Sequence, residues 1–142
     1  MQVEKISENL CGVRFLSRWM LAIVFGMAGV WKVFTLGAHA HAEGFFVQGF
    51  TEHWIPEFIL WPLGYVIPFW ELLAGILLLI GFKTRWVLWS IGVLLLITTY
   101  GHALQEPLFD INGHTFTRFI LILICLAIPA SHDYLSLDAR NK

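Results

Sequence analysis

The sequence contains few charged residues and no run of basic ones. Asp, Glu, Lys and Arg make up 13% of its 142 residues, and hydrophobic residues make up 58%. A soluble domain averages about 25% charged and roughly 45–50% apolar residues, so these proportions indicate a protein of the lipid bilayer. The nine Lys and Arg residues are too scattered to follow a nucleic-acid backbone. We therefore expect a membrane protein surrounded by lipid, with no nucleic-acid partner.

Cysteines and cofactor motifs are also scarce. Cys11 and Cys125 have no CxxC spacing and lie in different segments, so they offer neither a disulfide framework nor an internal thiol relay. The chain has no GxGxxG motif after a strand and no P-loop. Among the histidines, only His102 comes close to the interior of an apolar stretch. The sequence therefore has no haem or flavin motif.

Four apolar stretches run over about 19–36, 61–82, 86–102 and 115–130. A transmembrane helix needs ~20 mostly apolar residues, and the second stretch meets this length. The fourth is short, but Arg118 near its start can extend its side chain to the membrane interface. The pattern predicts an all-α integral membrane protein, a four-helix transmembrane bundle formed by a single domain over residues 1–142.

The connection between the first two stretches is rich in aromatic residues and histidines. Phe46, Phe50 and Trp54 recur every four residues, which predicts an amphipathic outer-loop helix lying in the membrane interface. A loop whose aromatic residues only join the interfacial belt is the alternative. His39 and His41 would converge on a metal ion only in an extended chain. We therefore expect solvated histidines and no metal site, with metal binding as the alternative.

Basic residues mark one side of the membrane. They lie in the N-terminal flank, in the turn after the second stretch and in the C-terminal tail: Lys5, Arg14, Arg18, Lys83, Arg85, Arg140 and Lys142. The two longer connections, 35–60 and 102–117, contain none. Because Lys and Arg concentrate in cytoplasmic segments, we predict that both termini are cytoplasmic.

Two charged residues fall within the apolar stretches. Glu71 lies near the middle of the second, and Lys32 lies about one turn below the outer end of the first. A charge at mid-membrane costs on the order of 2.5–3.5 kcal/mol, whereas two opposite charges about 4 Å apart attract by about 4 kcal/mol at an effective dielectric constant of about 20. We therefore predict that Glu71 contacts Lys32 or Arg118 inside the bundle. The aliphatic segments 76–80 and 120–126 predict an inner half without charge.

Small residues surround this pair. Ala74 and Gly75 share the helical face of Glu71, and Gly29 precedes Lys32 by three positions, so the two helices can approach closely. The pair could serve only to orient the helices. Alternatively, it could form a polar pocket open to the outer leaflet, in which Glu71 takes up or releases a proton.

Two segments carry a family resemblance, RWMLAIVFGMAGVWK at 18–32 and PFWELLAGILLLIGFKTR at 68–85. The first ends on Lys32, and the second has the pattern P-x-x-E-x-x-x-G-x-x-L-x-x-G-x-x-x-R. The chain resembles the DoxX/DoxD-like family of small four-span bacterial membrane proteins. This resemblance implies a four-helix bundle and, from the name-giving members, a subunit of a thiosulfate:quinone oxidoreductase.

The resulting hypothesis is a membrane subunit of a redox system that interacts with a quinone or a small reductant. Glu71 and Lys32 would be catalytic, because quinone chemistry requires a proton partner. The substrate-binding residues would be Glu71, Lys32, His102, Arg118, Trp70 and Tyr100. The expected partners are a redox subunit and a second copy of the chain. The alternatives are a non-catalytic membrane anchor or assembly partner and a small-molecule binding or transport module; whether the chain is itself an enzyme stays open.

Overall fold

The computed structural model of the chain describes residues 2–107 and 112–140. Lys142, one of the basic residues behind the predicted orientation, lies outside them. The α-helices are α1 (Gln2–Val30), α2 (Ala38–His41), α3 (Glu57–Ile80), α4 (Thr84–Gln105), α5 (Thr117–Ala127) and α6 (Leu137–Arg140). Over these two ranges there is no β-strand, so the predicted all-α class is confirmed.

Helical turns of different pitch extend several of these helices. Wider π-helical turns cover Trp31–Gly37, Ala42–Val47 and Asn112–Phe116, and a 3₁₀ turn covers Gln48–Phe50. A π-helical turn takes in more residues per turn than an α-helix and is rare, and it occurs frequently at functional sites. The first of these turns contains Lys32.

Three helical segments are long and apolar enough to cross a membrane: Glu4–Phe50, Glu57–Ile80 and Thr84–Gln105. The fourth apolar helix, α5, is shorter. With the π-helical turn before it, α5 reaches at most roughly 24 Å at about 1.5 Å per residue, against ~30 Å for the hydrocarbon core of a bilayer. The protein is a multi-pass helical membrane protein.

The core lies where α1, α3, α4 and α5 meet. Its fully buried side chains include Leu21, Leu78, Leu88, Ile91, Ile122 and Cys125. Large apolar side chains also cover the outside of the bundle, where they remain exposed: Phe34, Phe58, Val66, Trp86 and Leu96 are examples. This distribution is the one expected of a bundle whose outer surface faces lipid.

The closest contact between transmembrane helices joins α1 and α3. At Gly75 of α3, a Cβ atom would lie 2.6 Å from the backbone nitrogen of Gly26 in α1 and 3.0 Å from the carbonyl oxygen of Ala22. A side chain at position 75 would therefore overlap the backbone of α1. Small residues thus bring the two backbones together, as the sequence predicted.

The outer-loop helix follows a break at Gly37, whose φ of 88° lies in the region that favours glycine. Beyond it, α2 and the turn Ala42–Val47 pack across the start of α3, where Ala42 is fully buried. The 3₁₀ turn that follows contacts the end of α4, where the Gln105 amide donates to the Gly49 oxygen over 3.0 Å. The predicted amphipathic helix is confirmed, although it ends at Phe50 and leaves Trp54 exposed. We call this end of the bundle the outer end, and the opposite end, with the α3–α4 turn, the inner end.

Candidate functional site

Lys32 and Glu71 form an ion pair between α1 and α3. The Nζ atom of Lys32 donates a hydrogen bond to Oε2 of Glu71 over 2.6 Å. The Glu71 side chain is 7% exposed and that of Lys32 is 21% exposed. The contact predicted for Glu71 is therefore present, and Lys32 is the partner. A burial this deep means that protein and lipid, and little water, surround the carboxylate.

The helices position both charges through small residues and a change of helical pitch. Glu71 shares its buried face of α3 with Pro68, Ala74 and Gly75, which lets α1 approach closely. Lys32 lies in the π-helical turn Trp31–Gly37, just after the α-helical part of the first span. The ammonium group thus lies one turn beyond Gly29, where α1 still packs closely on α3 at Leu72.

Pro68 leaves the backbone carbonyl of Gly64, one turn closer to the outer end, without its usual donor in the helix. A proline inside a helix has no N–H for the carbonyl four residues earlier, which here is that of Gly64. His41 of α2 supplies the missing donor, because its Nδ1 lies 2.7 Å from the Gly64 oxygen. His41 is 4% exposed. The outer-loop helix is thus attached to α3 at the carbonyl that the proline leaves open.

Arg118 approaches α1 in a different way. Its guanidinium carbon lies 5.8 Å from the centroid of the Phe25 ring, within the range of a cation–π contact. Phe25 is 3% exposed and belongs to the core. Arg118 therefore holds α5 against α1, and the role of direct partner to Glu71 belongs to Lys32.

The other three predicted site residues lie on other faces. Trp70 is half-buried and lines a shallow apolar groove on α3 with Tyr65, Val66, Phe69 and Leu73. Tyr100 is 52% exposed near the end of α4, and His102, also exposed, follows it. The structure thus brings Lys32 and Glu71 together, whereas Trp70, Tyr100 and His102 take no part in that contact. Their binding roles stay predictions.

The outer-loop histidines make separate contacts. His39 stacks edge-on against Trp61 and lies 3.6 Å from the carboxylate of Glu43, whereas His41 points to α3. Among the described residues, no group of three or more His, Cys, Asp or Glu side chains could hold a metal ion. The two histidines lie on a helix, where alternate side chains diverge.

A second polar cluster lies at the inner end, and the sequence did not reveal it. Arg14 and Arg18 are 3% and 1% exposed, and both contact Oδ2 of Asp133, at 3.3 and 2.9 Å. Arg18 also donates to the carbonyl oxygen of Leu79 at the end of α3, over 3.0 Å. The predicted inner half without charge is therefore wrong. Asp133 follows Arg18 by 115 residues, so no local pattern could have shown the contact.

The Lys32–Glu71 pair can hold and pass a proton in an apolar setting. A carboxylate beside an ammonium group accepts hydrogen bonds while ionised and donates one when protonated. Glu71 is a carboxylate of this kind near the middle of α3, and Lys32 has three donor hydrogens and a compensating charge. An arrangement of this kind suits a ligand with carbonyl oxygens that receives or gives up protons.

Comparison with known families corrects the predicted relationship. Residues 11–105 match the model of the family described as methylamine utilisation protein MauE, and the match includes both Lys32 and Glu71. The predicted membership of the DoxX/DoxD-like family is therefore wrong. Its motif depended largely on Gly and Leu at spacings that are common in membrane helices. No curated protein and no solved structure matches the sequence.

Proposed function

The chain belongs to the MauE family of methylamine utilisation proteins, and from this premise we propose that it is a membrane component of a redox system that serves methylamine use. The family match covers about two thirds of the chain, from the first span to the end of α4. Three helical segments of membrane-spanning length lie within or across that match. The proposed role therefore belongs to the membrane bundle itself.

The chemistry of methylamine supports a redox role. A direct route to the carbon and nitrogen of methylamine is oxidation at carbon: methylamine and water yield formaldehyde, ammonia, two protons and two electrons. These electrons and protons require an acceptor. A quinone is a membrane-soluble acceptor of two electrons and two protons, and a small soluble oxidant could accept them from the outer face.

We place this exchange at the Lys32–Glu71 pair. The single observation that carries the proposal is a buried carboxylate, on a side chain 7% exposed, paired at 2.6 Å with an ammonium group inside the span. Intramembrane ionisable residues are expensive and are functional candidates by default. Glu71 would exchange the proton, and Lys32 would donate a hydrogen bond to a ligand carbonyl. Electrons would reach the ligand from a partner subunit.

The outside of the bundle offers an apolar surface for a quinone tail. The apolar groove that contains Trp70 lies on the exposed face of α3, opposite the buried face that carries Glu71, so an isoprenoid tail could lie there within the bilayer while the ring reaches the pair from the outer end. Arg118, Tyr100 and His102 remain candidates for contacts with the ring or its substituents. The proposed location is a bacterial inner membrane with both termini cytoplasmic.

A gene deletion in a methylamine-using bacterium tests the proposal. We expect the deletion strain to lose growth on methylamine and to retain growth on a multicarbon acid with ammonium. Wild-type protein and the exposed-site control Glu57→Gln should restore growth, and Glu71→Gln should not, at equal amounts of protein in the membrane. Unimpaired growth on methylamine without the gene would refute the role.

The reciprocal exchange Lys32→Glu with Glu71→Lys distinguishes a chemical role from a structural one. The exchange keeps the ion pair and moves the carboxylate to α1. If the double variant has the melting temperature of the wild type but does not support growth on methylamine, the pair has a chemical role. If it restores growth fully, the pair is structural and the chain is a membrane anchor or assembly partner. A short-chain quinone should raise the melting temperature of the wild-type protein and not that of Glu71→Gln.

A further inference from the structure

A cleft opens at the inner end between the start of α4 and the end of α5. It has a volume of about 590 Å³, and its lining includes Arg14, Lys83, Thr84, Arg85, Trp86 and Ile128. We call it the basic cleft. Ligand pockets commonly measure roughly 300–1,000 Å³, so a small charged group fits this volume. Neither Lys32 nor Glu71 lines the cleft, because that pair lies toward the outer end.

Three cations line the basic cleft. Arg14 is buried, and its guanidinium donates to the carbonyl oxygens of Cys125 and Ile128 at the end of α5. Lys83 and Arg85 are exposed at the start of α4. Within the described ranges, Arg85 has no hydrogen-bond or ion-pair partner. The cleft thus combines one buried cation with two exposed ones.

The carboxylates near the cleft are already occupied. Both oxygens of Asp138 cap α4: they accept from the backbone nitrogens of Lys83 and Thr84 over 2.8 and 2.7 Å, and one also accepts from the Thr84 hydroxyl over 2.7 Å. Asp133 is shared between Arg14 and Arg18. Four cations therefore face two carboxylates, which leaves a positive excess that attracts anions.

Apolar residues form the rest of the lining. Trp86 is 77% exposed on the outer surface of α4, and Leu126 and Pro129 lie on the α5 side. Such a surface is unsuited to a free ion in water but suits a molecule that carries a charged head and an apolar tail. Basic pockets between membrane helices on the cytoplasmic side bind anionic headgroups.

Lys83 lies beside the cleft in an unusual backbone conformation. Lys83 has a φ of 48°, in the left-handed region where glycine or asparagine is favoured. Its ammonium group lies 5.5 Å from the centroid of the Phe82 ring, at the mouth of the cleft. A basic side chain thus occupies a position whose conformation disfavours it.

We propose that the basic cleft binds the phosphate group of an anionic phospholipid in the leaflet at the two termini. Lys83 and Arg85 would bind the phosphate oxygens by charge-assisted hydrogen bonds. Arg14, whose guanidinium already donates to Cys125, Ile128, Thr84 and Asp133, would add positive charge behind them, and Trp86 would contact the first part of an acyl chain. The α4 N-terminus is not the binding element, because Asp138 caps it.

Native mass spectrometry and melting temperatures of the purified full-length protein test this proposal. The variant is Lys83→Asn with Arg85→Gln, because asparagine accepts the left-handed conformation at position 83. The control is Lys5→Gln, which removes an exposed charge from the same end of the molecule. Each protein is titrated with phosphatidylglycerol, with phosphatidylcholine and, separately, with inorganic phosphate.

We expect the wild type and the control to bind one phosphatidylglycerol at least about tenfold more tightly than phosphatidylcholine, and the double variant to lose that preference. Stabilisation by phosphatidylglycerol without stabilisation by inorganic phosphate assigns a lipid ligand. Stabilisation by inorganic phosphate that the double variant loses assigns the site to soluble phosphates and overturns the lipid assignment. Equal binding of both lipids by the wild type, or retention of the preference by the double variant, overturns the site.

Discussion

At the scale of single residues, the inner end depends on one carboxylate that serves two arginines. Asp133 has a fully buried side chain, and the side chains of Arg14 and Arg18 are 3% and 1% exposed. Burying several charges together is tolerable only while each has a partner. Stability of the inner end should therefore respond more strongly to Asp133 than to any exposed acidic residue.

We expect Asp133→Asn to destabilise the protein by about 3–5 kcal/mol, because removal of one partner leaves two buried guanidinium groups without compensation. Unfolding by heat or denaturant in detergent micelles measures this change. Glu52→Gln, at an exposed carboxylate of the outer loop, should change stability by less than ~0.5 kcal/mol. Equal stabilities of the two variants would show that Asp133 does not hold the arginines.

His41 and Pro68 give a second prediction at this scale. His41→Phe should destabilise the wild type by about 1–3 kcal/mol, because the Gly64 carbonyl then has no donor in a buried place. In a Pro68→Ala background, the restored N–H at position 68 can bond that carbonyl, so the same change should destabilise by less than half as much. The four proteins of this double-mutant cycle are compared by unfolding free energy, and equal losses in both backgrounds would contradict the explanation.

At the scale of helices, the approach of α1 to α3 sets the position of Lys32 relative to Glu71. Gly75→Ala should therefore destabilise the bundle by about 1–3 kcal/mol, since the new methyl group overlaps the backbone at Gly26. The matched control is Gly12→Ala in α1, where a Cβ atom would meet nothing within 4 Å. This control should be neutral or gain up to about 1 kcal/mol from helix propensity. The melting temperatures of the two variants and the wild type are compared. A Gly75→Ala protein as stable as the wild type would refute the close contact between α1 and α3.

The helices themselves differ in how far their sequences predict them. The apolar stretch 61–82 corresponds to α3 at Glu57–Ile80, and 86–102 to α4 at Thr84–Gln105, because long apolar runs leave little choice of structure. The first helix begins far earlier than position 19, at Gln2. Its polar first part was not visible to a search for apolar runs, although it carries the buried Arg14 and Arg18.

The sequence predicted the candidate site only where burying a charge in the bilayer is energetically unfavourable. Glu71 required a partner in an apolar span, and the two candidate cations in the outer half were few enough to name. The bond from His41 to Gly64 depends on where the chain turns back at Gly37, and the inner cluster depends on the C-terminal tail. Contacts of this kind join distant segments and leave no periodic signal in the sequence.

At the scale of the whole molecule, the two polar centres lie at opposite ends of an apolar core. The outer one holds a single buried pair, Lys32 with Glu71, and the inner one concentrates Arg14, Arg18 and the basic cleft. Lys and Arg residues of membrane proteins concentrate on the cytoplasmic side, and this preference assigns the arginine-rich inner end to that side. The proposed exchange site would then open toward the outer leaflet and the lipid site toward the cytoplasmic one.

Orientation in the membrane is therefore the property that both proposals share, and cysteine labelling measures it. In a Cys11→Ser background, an impermeant maleimide added to intact cells should label Thr51→Cys, on the outer loop, and should not label Lys5→Cys until the membrane is opened. Both positions are exposed, and the remaining Cys125 is 1% exposed, so it contributes little signal. Because six of the eight basic residues that the structure describes lie near the inner end, inversion would place most of the positive charge outside, against the usual preference. Labelling of Lys5→Cys in intact cells would thus overturn the orientation and, with it, the leaflet assigned to each site.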